Sequence, residues 1–218
     1  MGQNRQLDAW TGSFGRAYMA RNSDVSVSDL DARADGLSQV METCAHRPRS
    51  ILEVGANIGR NLMALRRLTD ATLHAVEPFV EAFERMRELL SDELSSAHNC
   101  AGDALPFEDT SIDFVFTSGV LIHVHPDRLP DVMAEIHRVS RRYVWCNEYF
   151  ATQPESIGYR GEDGLLFKRD FGRLYQKLFP DLHIVGTGFL WSAATPFDDT
   201  VWWLFEKQPG GHGRLAAP

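Results

Sequence analysis

Short apolar runs and stretches of helical spacing alternate through the middle of the chain. Between Asp24 and Cys44 the apolar residues Val27, Leu30, Leu37, Val40 and Met41 recur at helical spacing. They predict a helix that begins near Ser28 or Asp29 and ends before Pro48. Ser50–Val54 is a short apolar run closing on a glycine-containing loop. From Asn57 or Gly59 through Arg67 the pattern Ile58, Leu62, Leu65, Leu68 returns to the helical period, so the unit reads strand, tight turn, helix. A second run, Thr72–Val76, leads to Glu77-Pro78, after which Phe79–Leu94 reads as a helix with Glu81, Arg85 and Glu88 outward. Ser111–Thr117 is a third strand, Leu129–Arg138 a helix and Tyr143–Cys146 a further buried strand. Such alternation predicts an α/β fold: a doubly wound, mostly parallel sheet with helices on both faces. Beyond a Gly-, Pro- and charge-rich stretch from Gln153 to Gly164, a helix is expected near Phe171–Leu178. His183–Leu190 and Val201–Glu206 are expected as a C-terminal antiparallel strand pair closing the sheet edge, with 208–218 a flexible tail.

Composition narrows the partners. At 218 residues and 44% hydrophobic, the chain can bury its apolar surface in one α/β core, so residues 1–207 are expected as a single domain. Lys plus Arg is 22 against 30 for Asp plus Glu, and no basic face rich in aromatics appears, so nucleic acid is not the expected partner. Ile112–Val124 is too short and too polar to cross a bilayer, and Met1–Asp8 lacks the apolar stretch of a secretory leader. Cys44, Cys100 and Cys146 are odd in number and widely spaced, which argues against a disulfide framework or a zinc site. Reduced core cysteines in a cytoplasmic protein, monomer or homodimer, are the expectation.

The first strand-to-helix turn, Glu53-Val54-Gly55-Ala56-Asn57-Ile58-Gly59-Arg60-Asn61, falls where open parallel sheets bind their ligands. Gly55 would let the backbone turn sharply, and Gly59 would let the loop approach a ligand. Glu53 is the informative residue, because a carboxylate there would repel a diphosphate and suit a cationic ligand. Glu77, at the end of the next strand, has acceptor geometry that fits a cis-diol. In Gly102-Asp103-Ala104 a carboxylate could accept from an exocyclic amine, with Ala104 and Leu105 against a ring.

Taken in order, Ile51-Leu52-Glu53-Val54-Gly55, Glu77, Gly102–Phe107 and Ser111–Phe116 resemble the class I S-adenosylmethionine-dependent methyltransferases. The resemblance implies a Rossmann-like sheet, a methyl transfer reaction and S-adenosylmethionine as cofactor. It implies that 50–150 is the cofactor-binding core, 1–45 an N-terminal helical lid and 151–207 an acceptor-side insertion with closing strands. The cofactor would lie over Gly55, Ala56, Asn57, Gly59 and Asn61. Glu77 with Pro78 would hold the ribose, Asp103 with Ala104 would meet adenine, and Ser118 and Gly119 would follow at the fourth contact. Asn57 stands where the family has its middle glycine. A narrower likeness, carried by Trp10–Gly15, Tyr18, Arg21-Asn22, Gly55–Gly59, Val120–His123, Glu148-Tyr149, Tyr159–Gly161 and Leu166–Phe171, is to the pseudaminic acid biosynthesis-associated methylases, and it implies a small polar metabolite as acceptor.

Each remaining candidate has a structural alternative. His123 is a base or orienter at the methyl-transfer site, or a satisfied structural histidine. Glu148 and Tyr149 are further base candidates, or an ordinary strand end. Tyr159, Arg160 and Lys168 could clamp an acidic acceptor, or form a solvated charge cluster. Trp10 and Phe14 would line the acceptor side, and Tyr18 and Arg21 would lie near the cofactor carboxylate; otherwise these aromatics are an apolar helical stripe. Trp191, Trp202 and Trp203 read as core or a dimer surface. A metal site at His123 and His125 lacks further ligands and is not expected. Three rival readings remain: a non-catalytic S-adenosylmethionine- or nucleoside-binding partner protein, a nicotinamide-using oxidoreductase, and an RNA or protein methyltransferase.

Overall fold

A computed structural model describes residues 5–21, 23, 25–159 and 162–208, with the backbone alone described at 5–7, 21, 159, 162 and 163. Two short helices, α1 (Arg5–Trp10) and α2 (Ser13–Arg21), precede the long α3 (Val27–Thr43). Ser26 caps α3 by accepting from the Asp29 N–H at 3.2 Å, a cap that contributes about 1 kcal/mol. The alternating region follows as β1 (Ser50–Val54), α4 (Arg60–Arg66), β2 (Thr72–Val76), α5 (Val80–Leu89), β3 (Leu94–His98) and β4 (Ile112–Ser118). A one-turn 3₁₀ helix (Leu121–His123), α6 (Leu129–Val139) and β5 (Ser140–Glu148) complete it. The C-terminal part adds β6 (Glu155–Tyr159), β7 (Glu162–Lys168), α7 (Phe171–Leu178), β8 (Leu182–Leu190) and β9 (Thr200–Lys207).

Seven strands form one sheet in the order β3-β2-β1-β4-β5-β9-β8. β3 through β5 are parallel, whereas β9 is antiparallel to both β5 and β8. The order reverses between β1 and β4, which creates a crevice at their carboxyl ends. The core lies on both faces of the sheet. Along β4, Phe114 and Phe116 pack with Leu37, Leu62 and Leu65 on one face, while Val115 packs with Met133, Ile136 and Phe171 on the other. This two-sided burial is why the parallel strands read as near-continuous apolar runs.

The sheet, the helices on both faces and the closing β8–β9 pair match the sequence expectation. Three local readings are corrected. The helix expected over Phe79–Leu94 stops at Leu89, and Leu94–His98 forms the edge strand β3. Its Ser95 is exposed and its Ser96 and His98 are only half-buried, so no apolar periodicity betrays it. The Gly- and Pro-rich stretch holds the antiparallel hairpin β6–β7. The Trp10–Tyr18 stripe spans two helices, broken at Thr11-Gly12. Trp202 and Trp203 are core residues, whereas Trp191 is exposed.

Candidate functional site

Residues at the carboxyl ends of β1, β2, β4 and β5 line a cavity of about 450 Å³, closed from the side by Trp10 and Tyr18 and by the 196–200 stretch that leads into β9. The wall divides into two halves.

The first half is built on the β1–α4 loop. At Gly55 the backbone turns with φ +78°, and an added Cβ would lie 2.7 Å from a Val120 methyl, so glycine is required twice over. Asn57 also adopts positive φ, at 50°, and its Oδ1 accepts from the Ile58 N–H at 2.8 Å. The side chain that replaces the family's glycine therefore stabilises the left-handed turn from within. Glu77 organises the same loop: Oε2 accepts from the Asn57 N–H at 2.7 Å and Oε1 from the Phe79 N–H at 2.9 Å. Burial pushes its carboxyl up to about 7, opposed by these two bonds.

Glu53 is 2% exposed. Its Oε1 accepts from the Asn61 Nδ2 at 2.6 Å, while Oε2 has no hydrogen-bond partner. Burial pushes it up to about 8, against the pull of Asn61 and of the Arg33 guanidinium. A buried carboxyl oxygen without a donor is costly unless a ligand supplies one, and a cation beside it would restore the charged form. Gly119, at φ +68°, has nothing within 4 Å of where a Cβ would stand, so it opens the floor of the cavity at the end of β4. Asp103 lies on the wall and accepts from the Arg128 Nη2 at 2.6 Å. Ala56, Pro78 and Ser118 also line the cavity.

The second half faces His123. Its Nδ1 lies 2.7 Å from the Leu165 carbonyl oxygen, which can only accept, so Nδ1 carries the proton and Nε2 the lone pair. Burial pushes this imidazole down to about 4, and it is neutral at pH 7. The Trp10 ring packs against it at 4.3 Å, and Trp10 in turn holds Phe14 at 5.0 Å and Tyr18 at 5.1 Å. Tyr149 lines the same side and donates its hydroxyl to Asp198 at 2.7 Å. Asn147, 2% exposed, donates to the Ser118 hydroxyl at 2.9 Å.

Several sequence-expected residues do not reach the wall. Glu148 is corrected from base candidate to support: it is fully buried and accepts from the N–H groups of Val120, Leu121 and Ile122 at 3.2, 3.1 and 3.4 Å. It thereby caps the short helix that presents His123. Gly59 serves packing, since a Cβ there would meet Leu90 at 2.5 Å and Met86 at 3.0 Å. Ala104 is exposed outside the cavity. Phe14 stands behind Trp10, and the Lys168 Nζ sits 5.3 Å from the Tyr149 ring centre and off the wall. Arg160 lies outside the described residues, as do the side chains of Arg21 and Tyr159.

The sequence reading missed Arg33, Arg128, Asn147, Asp198 and Thr200, all on the wall. Asn147 was recoverable from parity. In β5, Trp145 and Cys146 face opposite cores, so Asn147 and Glu148 also point to opposite sides, and only one of the two can face the cavity. Asp198 and Thr200 carried no local signal.

No group of three or more His, Cys, Asp or Glu side chains among the described residues could hold a metal ion. None of the described helices is long and apolar enough to cross a membrane. Cys146 is buried and Cys44 and Cys100 are half-buried, all three as free thiols.

Residues 51–142 match the family model of the methyltransferase domain. Among curated proteins none matches the sequence. Solved structures share the fold at low identity. The 1,6-didemethyltoxoflavin-N1-methyltransferase of Burkholderia thailandensis, solved with 1,6-didemethyltoxoflavin and S-adenosylhomocysteine, superposes with a TM-score of 0.73 at 15% identity, over 95% of this chain and 91% of its own. A Leishmania major S-adenosylmethionine-dependent methyltransferase gives 0.72 at 14% identity, over 94% and 82%. Magnesium protoporphyrin IX methyltransferase from Synechocystis, with S-adenosylmethionine bound, gives 0.65 at 11%, over 92% and 94%. Residues 51–142 thus match a methyltransferase domain model, within a chain that shares its fold with solved S-adenosylmethionine-dependent methyltransferases.

Proposed function

We propose that this chain transfers a methyl group from S-adenosylmethionine to an oxygen or nitrogen of a small polar metabolite held beside His123. The observation that carries the reading is the neutral His123 imidazole on the wall, its tautomer set by Leu165 and its face covered by Trp10. The first half of the cavity fits the cofactor: Glu53, with an unpartnered carboxyl oxygen, suits an ammonium, Glu77 suits ribose hydroxyls, and Gly119 leaves space over the sheet edge. When bound, the cofactor supplies an electrophilic methyl for in-line displacement.

The chain's own task is positional. The wall holds the acceptor atom on the transfer axis, and Trp10 and Tyr18 keep bulk water out, which makes α1 and α2 the lid of the site. His123 Nε2 accepts the proton of a hydroxyl as the bond forms, or that of a protonated amine before its freed lone pair attacks. Tyr149, fixed by Asp198, orients the acceptor from beside His123.

A small acceptor is favoured over a macromolecule by the state of the arginines on the wall. Arg33 is bonded to Asn61 and Pro196, Arg60 pairs with Asp29, and Arg128 pairs with Asp103, so no basic track leads to the site among the described residues. Lys168 lies against Tyr149 and off the wall, which argues against its role as a clamp for an acidic acceptor. The narrower likeness to pseudaminic acid biosynthesis-associated methylases agrees with a small polar acceptor.

The test is transfer of labelled methyl from S-adenosylmethionine to a panel of small hydroxyl and amine compounds, with His123→Ala alongside. Turnover on an accepted compound should fall about tenfold to a hundredfold in the variant, with S-adenosylhomocysteine affinity unchanged. Full turnover in His123→Ala would remove the histidine from the reaction, and transfer to RNA or protein alone would overturn the small-acceptor reading.

A further inference from the structure

Arg33 is a buried cation on α3, 7% exposed, and none of the roles above needs it. Its two terminal nitrogens point to different parts of the molecule. Nη1 donates to the Asn61 Oδ1 at 2.9 Å, and the other end of that amide donates to Glu53 at 2.6 Å. Nη2 donates to the Pro196 carbonyl at 3.0 Å, and the guanidinium lies 4.5 Å from the centre of the Phe197 ring. One turn further along α3, Gly36 leaves the notch in which that ring sits, since a Cβ there would come to 3.0 Å from Phe197 Cε2. The next residue, Asp198, is the acceptor for the Tyr149 hydroxyl.

Segment 191–199 thus reaches the body of the protein through two clasps, one on α3 and one on Tyr149. Its other described bonds are internal or reach only the first residue of β9: Ser192 N–H to Asp199, Ala194 and Thr195 N–H and the Thr195 hydroxyl to the Trp191 carbonyl, Phe197 N–H to the Thr195 hydroxyl, and the Thr200 hydroxyl to the Asp198 carbonyl. Residues 191–194, 198 and 199 are exposed. A segment with so few holds opens at low free energy, and the strength of each clasp decides how often it does.

We propose that Arg33 is a positioning residue that couples occupation of the cofactor half of the cavity to docking of segment 191–199 over the acceptor half. The inference rests on the cofactor reading of Glu53. A cationic ligand beside Glu53 favours its carboxylate, which pulls harder on the Asn61 amide. The polarised amide oxygen then accepts more strongly from Arg33. The guanidinium gains further from the restored negative charge. Held at one end, the planar fork presents its other arm to Pro196 and its face to Phe197 with less freedom to lose. By linkage the effect is reciprocal: a docked segment tightens cofactor binding by the factor with which the cofactor tightens docking.

The test is amide hydrogen exchange over 191–199 with and without saturating S-adenosylhomocysteine, in the wild type and in Arg33→Lys, which keeps a cation but cannot span both partners. The ligand should slow exchange of the segment about fivefold or more in the wild type and by less than about twofold in the variant. A merely structural arginine would raise exchange equally with and without ligand, and that result overturns the proposal. Equal ligand protection in both proteins overturns it as well. Absence of S-adenosylhomocysteine binding to the wild type, read by calorimetry on the same samples, would overturn the cofactor reading and the coupling with it. If Arg33→Lys does not fold, Phe197→Ala carries the test, because it leaves Arg33, Asn61 and Glu53 in place. Its affinity for S-adenosylhomocysteine should fall by the same factor as the wild-type protection, and unchanged affinity would overturn the proposal.

Discussion

The two halves of the cavity are made in different ways. The half we assign to the cofactor is nearly all local: the Glu53–Asn61 bond spans 8 residues, and the Asn57–Glu77 bond spans 20. The acceptor half is assembled from distant chain. His123 and Leu165 are 42 residues apart, Tyr149 and Asp198 are 49 apart, and Arg33 and Pro196 are 163 apart. A strand–loop–helix unit fixes its own ligand chemistry wherever it occurs, whereas an acceptor pocket depends on which late segments the fold happens to bring over the sheet edge. The difference also shows in two buried acids. Glu53 keeps one oxygen without a donor, while Glu148 spends its oxygens on three backbone N–H groups. The first is poised for a ligand and the second holds the scaffold.

The largest expected effect breaks that scaffold. Glu148→Ala would strand the buried N–H groups that its carboxyl now satisfies, at a cost of about 3 kcal/mol, read as a lowered urea midpoint. Unchanged stability would mean that the carboxyl is not a cap. A smaller effect sharpens the cofactor side. Glu53, raised to about 8, is mostly protonated between pH 6 and pH 7.5, so capture of a cationic ligand must expel its proton. Affinity for S-adenosylhomocysteine should therefore rise with pH, by about twentyfold across that window, with protons released on binding. Calorimetry in buffers of different ionisation enthalpy reads both quantities, and a flat profile would mean that Glu53 does not change charge on binding.

This division explains what could be read from the sequence. Glu53, Gly55, Asn57 and Glu77 each end a strand or shape the turn after it, so periodicity placed them before any coordinates did. At Gly59 the sequence shows that a glycine is there, but only the structure shows the left-handed backbone (φ +82°) and the missing Cβ that makes room for Leu90 and Met86. Glu148 was assigned to the wrong side because parity along β5 becomes readable only when the core faces of Trp145 and Cys146 are known. Strand β3 was invisible because a half-buried edge strand carries serines and a histidine where a core strand carries valine or leucine. Asp198 and Thr200 were beyond reach, since nothing near them in sequence resembles a site.

The most direct test of the account is calorimetric titration of S-adenosylhomocysteine into the wild type and into Glu77→Ala. Micromolar binding that weakens about a hundredfold in the variant is the predicted result, because the carboxyl shapes the loop at Asn57 and, under the proposed function, accepts the ribose hydroxyls. Equal binding by the two proteins, or none by the wild type, would contradict the assignment of this half of the cavity to the cofactor.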